Sequence, residues 1–79
     1  MMNFSKALDT LKNGGLITRI GWHKPGMYLT LQKPDEHSKM TAPYIYITIR
    51  EGVDDVERVP WVASQSDIMA EDWDQITED

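Results

Sequence analysis

Tyr44-Ile45-Tyr46-Ile47-Thr48-Ile49-Arg50 is the strongest strand signal in the chain. Side chains on a β-strand alternate between its two faces. Ile45, Ile47 and Ile49 therefore share one face, and Tyr44, Tyr46, Thr48 and Arg50 share the other. The isoleucine face suits the side of a sheet that a helix covers. The tyrosine face is amphipathic and is open to use as a subunit interface or a pocket wall.

The flanking segments extend this sheet. Leu16 to Ile20 alternates, with Leu16, Thr18 and Ile20 on one side and Ile17 and Arg19 on the other. Met27 to Lys33 alternates again, setting Met27, Leu29 and Leu31 opposite Tyr28, Thr30 and Gln32. The turn Gly21-Trp22-His23-Lys24-Pro25-Gly26 joins the two as a hairpin. After Arg50, Glu51 to Asp55 reads as a turn and Val56 to Val59 as a short return strand. Pro60 stops it, since proline has no N–H for a ladder. Pro34 to Pro43 is polar and aperiodic, hence a surface loop.

Two helices bracket the strands. Phe4, Ala7, Leu8 and Leu11 follow the i, i+3, i+4, i+7 spacing of one helix face. Asn3 is a suitable N-cap, and Asn13-Gly14-Gly15 a suitable stop. Near the other end, Ser64 with Asp67 three residues later is the signature of a second helix start. The serine oxygen accepts from the Asp67 N–H, and the carboxylate reaches back. Ile68 and Met69 give that helix about two turns, and Trp73 to Ile76 forms a last short segment. The predicted fold is α+β: a small antiparallel sheet of about four to five strands, one N-terminal helix and one short C-terminal helix. No repeat or linker divides residues 1–79, so a single domain is expected.

Composition narrows the function classes. A chain of 79 residues has a marginal core, and with no cysteine it has no disulfide to reinforce it. Oligomerisation is the expected extra source of stability. The net charge of −5 is uneven: residues 1–40 carry a balance of +3 and residues 41–79 a balance of −8. An acidic chain is a poor ligand for a DNA or RNA polymer, although a pocket with local donors can still hold a small anion. No apolar run approaches the ~18 residues needed to span a bilayer. A soluble, cytoplasmic protein is expected.

A catalytic constellation is hard to assemble. His23 and His37 both sit in loops, and neither is spaced with other ligands for a metal. Asp54, Asp55 and Glu57 lack the alternating pattern of a calcium loop. Ser64 and Ser66 have no nucleophile elbow around them. No enzyme activity, no metal and no cofactor are expected. A binding site is easier to build. Trp61 and Trp73 flank the Ser64 helix start, where backbone N–H groups and a partial positive charge favour an anion. Core packing is the alternative for both rings. Trp22, in the hairpin turn, reads either as a lid on the core or as a stacking wall. Arg19 and Lys24 lie near it and could contact a phosphate. Ser64 and Asp67 read as caps, with Asp67 also able to accept from a ligand hydroxyl.

Several stretches together carry a resemblance. They are Met2-Asn3-Phe4 with Ala7-Leu8 and Leu11-Lys12, Arg19-x-Gly21-Trp22, Gly26-Met27-Tyr28-Leu29, Pro43-Tyr44-Ile45, and Val59-Pro60-Trp61-x-Ala63-Ser64-Gln65-x-Asp67-x-x-Ala70-x-Asp72-Trp73. Nearly the whole chain thus resembles the second Thoeris anti-defence family of phage and prophage proteins. The resemblance implies a sponge, which binds cyclic ADP-ribose isomers used as immune signals, and in some members cyclic oligonucleotides, without cleaving them. It also implies a homo-oligomer, typically a tetramer, in the bacterial host cytoplasm. The ligand-binding candidates are Arg19, Trp22, Lys24, Tyr28, Trp61, Ser64, Gln65, Asp67 and Trp73. The chain departs from the family pattern after the hairpin tryptophan, where His23-Lys24-Pro25-Gly26 adds a cation. An acidic inhibitor that binds a host defence protein is the alternative reading.

Overall fold

The structure, a computed structural model, describes residues 1–22 and 26–76. Helix α1 (Phe4–Lys12) begins at Asn3, whose side chain accepts from the Lys6 N–H at 3.0 Å. It ends at Asn13, whose N–H bonds back to the Asp9 carbonyl, and Gly14 follows with φ +92°. That left-handed conformation costs glycine little and most other residues more, so the chain turns sharply here into the first strand.

Five strands follow: β1 (Leu16–Arg19), β2 (Met27–Gln32), β3 (Tyr44–Arg50), β4 (Val56–Pro60) and β5 (Trp73–Ile76). They form one antiparallel sheet in the order β4-β3-β2-β1-β5. The last short segment of the chain is therefore a strand. It lies beside β1, with Arg19 opposite Trp73 and Leu16 opposite Ile76. Its outer side is partly covered by Met2, which exchanges backbone hydrogen bonds with Trp73 at 2.7 and 3.1 Å.

Register explains the core. Ile17, Leu29, Ile47 and Val59 stand in one row across β1 to β4. The first three are buried, and Ala7 and Leu11 of α1 close over that face. The isoleucine face of β3 is thus the covered one, as its alternation predicts. The opposite face carries the row Tyr28, Thr48 and Arg58. Thr48 is fully buried there, and its hydroxyl finds no hydrogen-bond partner among the described residues.

Helix α2 (Gln65–Met69) lies between β4 and β5. At five residues it is shorter than the two turns expected. Ile68 and Met69 are 42% and 75% exposed, so no buried stripe sustains another turn, and Ala70 is already extended. Among the described residues, no helix is long and apolar enough to cross a membrane.

Candidate functional site

The site forms where the end of β1, the start of α2 and the entry to β5 meet. Each of the two carboxylates there has several partners. Asp67 completes the capping box predicted for α2: its N–H donates to Ser64 Oγ at 3.1 Å, and its Oδ2 accepts from the Ser64 N–H and hydroxyl at 3.3 and 2.9 Å. Its other oxygen, Oδ1, accepts from Arg19 Nη1 at 2.8 Å and from the Trp22 indole Nε1 at 3.4 Å. Asp72 accepts from Arg19 Nε at Oδ1 and from the Gly21 N–H at Oδ2, both at 2.8 Å.

The electrostatics follow from these bonds. The Arg19 side chain is 20% exposed, and those of Asp67 and Asp72 are 14% and 28% exposed, so solvent screens the pairs only in part. Hydrogen bonds to Asp72 and then Asp67 raise the Arg19 pKa further above its ordinary value. Arg19 and the Gly21 N–H hold the Asp72 carboxyl below the usual range. Burial pushes the Asp67 carboxyl up, but the combined hydrogen bonds from Arg19, Ser64 and Trp22 outweigh it and leave it lowered.

Behind this cluster stands an aromatic stack. Trp73 is fully buried, and its Nε1 donates to the Asp67 carbonyl at 3.0 Å. Trp22 and Trp61 meet Trp73 edge-on, with ring centroids 5.4 and 6.0 Å away, and Phe4 lies 5.6 Å away on a tilt. In front lies an open cavity of about 440 Å³, lined by Arg19, Gly21, Trp22, Met27, Ser64, Ser66 and Asp67.

Four of the sequence candidates, Arg19, Trp22, Ser64 and Asp67, thus line one cavity. Trp73 lies behind it, with no exposed surface to offer a ligand. Trp61 is half-buried against Phe4 and Trp73 and stands outside the lining. Gln65 is exposed on α2 and stands outside the lining. Tyr28 pairs with Thr48 on the opposite sheet face, away from this cavity within one chain. Lys24, like His23, lies outside the described residues. At the α2 start the capping box of Ser64 and Asp67 takes up the N–H groups of those two residues. Two carboxylates hold the Nε and Nη1 of Arg19, so its charge is balanced within the protein.

Sequence reasoning missed Asp72, Gly21, Met27 and Ser66. Asp72 had a usable signal, a carboxylate directly before a buried tryptophan. Its partners Arg19 and Gly21 are more than 50 residues away in sequence, and nothing local points to them.

A model of the Thoeris anti-defense 2-like domain matches residues 2–76. The chain belongs to this family. It is also 32% identical over 85 aligned positions to Thoeris anti-defense 2 of Bacillus phage SP01, covering 96% of each chain. Membership in the Thoeris anti-defense 2-like family supports a phage anti-defence role.

Proposed function

We propose that the chain is a sponge that sequesters a cyclic ADP-ribose-type immune signal without cleaving it, and so blocks Thoeris-type immunity. The observation that carries this reading is the cavity in which the Trp22 ring, the Asp67 carboxylate and the Ser64 and Ser66 hydroxyls come together. Such a ligand has an adenine ring, ribose hydroxyls and two phosphates. Trp22 offers a stacking surface, where a base–aromatic contact contributes roughly 1–3 kcal/mol. The Ser66 hydroxyl can donate to or accept from a ribose hydroxyl, while Asp67 and Ser64, bonded to each other and through Asp67 to Arg19 and Trp22, shape the wall beside it. A ring of one cation and two anions, Arg19 with Asp67 and Asp72, does not by itself favour phosphate. The phosphates then depend on a cation outside the cluster, for which Lys24, two residues after Trp22, is the nearest in sequence.

A nanomolar sponge needs about −12 kcal/mol from its site. An open cavity on one small chain is a poor source of that. We therefore assign the chain to a homo-oligomer, a tetramer by analogy with the resemblance, in which subunits enclose the ligand in the host cytoplasm. The sheet face opposite α1, which carries Tyr28, Tyr46, Thr48 and Arg58, supports this assembly.

Calorimetric titration with cyclic ADP-ribose isomers and with cyclic di- and trinucleotides tests the proposal. Saturable binding by one isomer, reduced at least tenfold in a folded Trp22→Ala variant, is the expected outcome; the loss matches one stacking contact. No binding across the panel, with a host defence protein captured through the acidic half instead, replaces the sponge with a protein-interaction inhibitor.

A further inference from the structure

We infer that Asp72 is the positioning residue of this site: it fixes Arg19 and the turn that carries Trp22 before a ligand arrives, and its carboxylate does not meet the ligand. This rests on reading the cavity as the ligand site. Asp72 holds three successive residues at the exit of β1. Its Oδ1 takes Arg19 Nε, its backbone carbonyl takes the Ile20 N–H at 3.0 Å, and its Oδ2 takes the Gly21 N–H. Both carboxylate oxygens are thereby engaged on the protein. Among the described residues that line the cavity, Asp72 is absent.

Sterics at Gly21 point the same way. A Cβ on Gly21 would lie 2.7 Å from Asp72 Oδ2 and 3.4 Å from Arg19 Nη2. The carboxylate and the turn pack so closely that any side chain at position 21 must push one away from the other. The anchor beneath is rigid: Asp72 adjoins Trp73, which is fully buried, bonded through its indole to the Asp67 carbonyl and set edge-on against Trp22. Arg19 links the two carboxylates, so a shift of Asp72 passes through the guanidinium to Asp67 and to the Trp22 indole it holds. Fixing Trp22 and Asp67 in advance removes an ordering cost that binding would otherwise carry.

The test uses the full chain labelled with ¹⁵N at tryptophan, whose three indole N–H resonances are assigned with Trp→Phe variants. Asp72→Ala, Asp72→Asn and Gly21→Ala are compared with the wild type. In folded Asp72→Ala, the Trp22 indole resonance is expected to move or broaden more than those of Trp61 and Trp73. Affinity for the cyclic ADP-ribose isomer that the wild type binds falls roughly tenfold or more, as expected for loss of charge-assisted hydrogen bonds. Asp72→Asn keeps an acceptor for the Gly21 N–H but not the ion pair, and falls between. Gly21→Ala, which keeps the carboxylate but forces it and the turn apart, reproduces the Asp72→Ala shift and carries the test if Asp72→Ala does not fold. Folded variants with an unmoved Trp22 resonance, or with wild-type affinity, overturn the inference. A wild type that binds no isomer overturns the sponge reading instead. The Trp22 resonance then decides alone whether Asp72 positions the ring.

Discussion

Asp67 is the residue in which fold and site are hardest to separate. One carboxylate caps α2, holds Arg19 and accepts from Trp22. Asp67 and Asp72 both have carboxyl pKa values lowered by folding. Such groups release their protons more readily in the folded chain, so their contribution to stability is present above the ordinary carboxylate pKa of about 4. It is lost as pH falls through the lowered values. Arg19 stays charged throughout and adds no slope. The thermal midpoint should therefore fall between roughly pH 5 and pH 2, and should fall less steeply in Asp67→Asn/Asp72→Asn. Melting curves by circular dichroism across that range check this; identical slopes would remove the two carboxylates from the account.

At the scale of elements, what the sequence made legible was local. Period-two alternation located β1, β2 and β3, the turn after Arg50 located β4, and the spacing of Phe4, Ala7, Leu8 and Leu11 located α1. The Ser64–Asp67 pair located α2, because caps and periodicity are properties of neighbouring residues. Strand order was not legible: nothing in Trp73 to Ile76 says that it returns beside β1 rather than at the β4 edge. The clamp joining Arg19, Gly21 and Asp72 depends on that order, and so it stayed hidden. Helix α2 also proved to be one turn rather than two. So short a helix depends on its cap and on the bond from the Trp73 indole to the Asp67 carbonyl. Ser64→Ala should cost about 1 kcal/mol of stability. Urea titration gives that loss, and calorimetry should show weaker ligand binding alongside it, since Asp67 loses two of its hydrogen bonds. Unchanged stability would mean that the capping box contributes little to the domain.

On the scale of the whole molecule, α1 covers one face of a single sheet and leaves the other with tyrosines, a buried threonine hydroxyl and arginine. In the proposed oligomer, a domain of 79 residues with so small a core would gain stability by pairing such faces. Light scattering should give a mass several times that of one chain, and Tyr46→Asp should reduce it by placing a charge in the interface. A wild type with the mass of a single chain would leave each cavity open and the sponge without its enclosing partner. The central claim is sequestration without chemistry, and one measurement addresses it most directly: the complex with a cyclic ADP-ribose isomer is isolated, heat-denatured, and the released small molecule is weighed by mass spectrometry. Release of the intact cyclic molecule in proportion to the protein is the expected result. Recovery of a linear or hydrolysed product, or of no nucleotide at all, would contradict it.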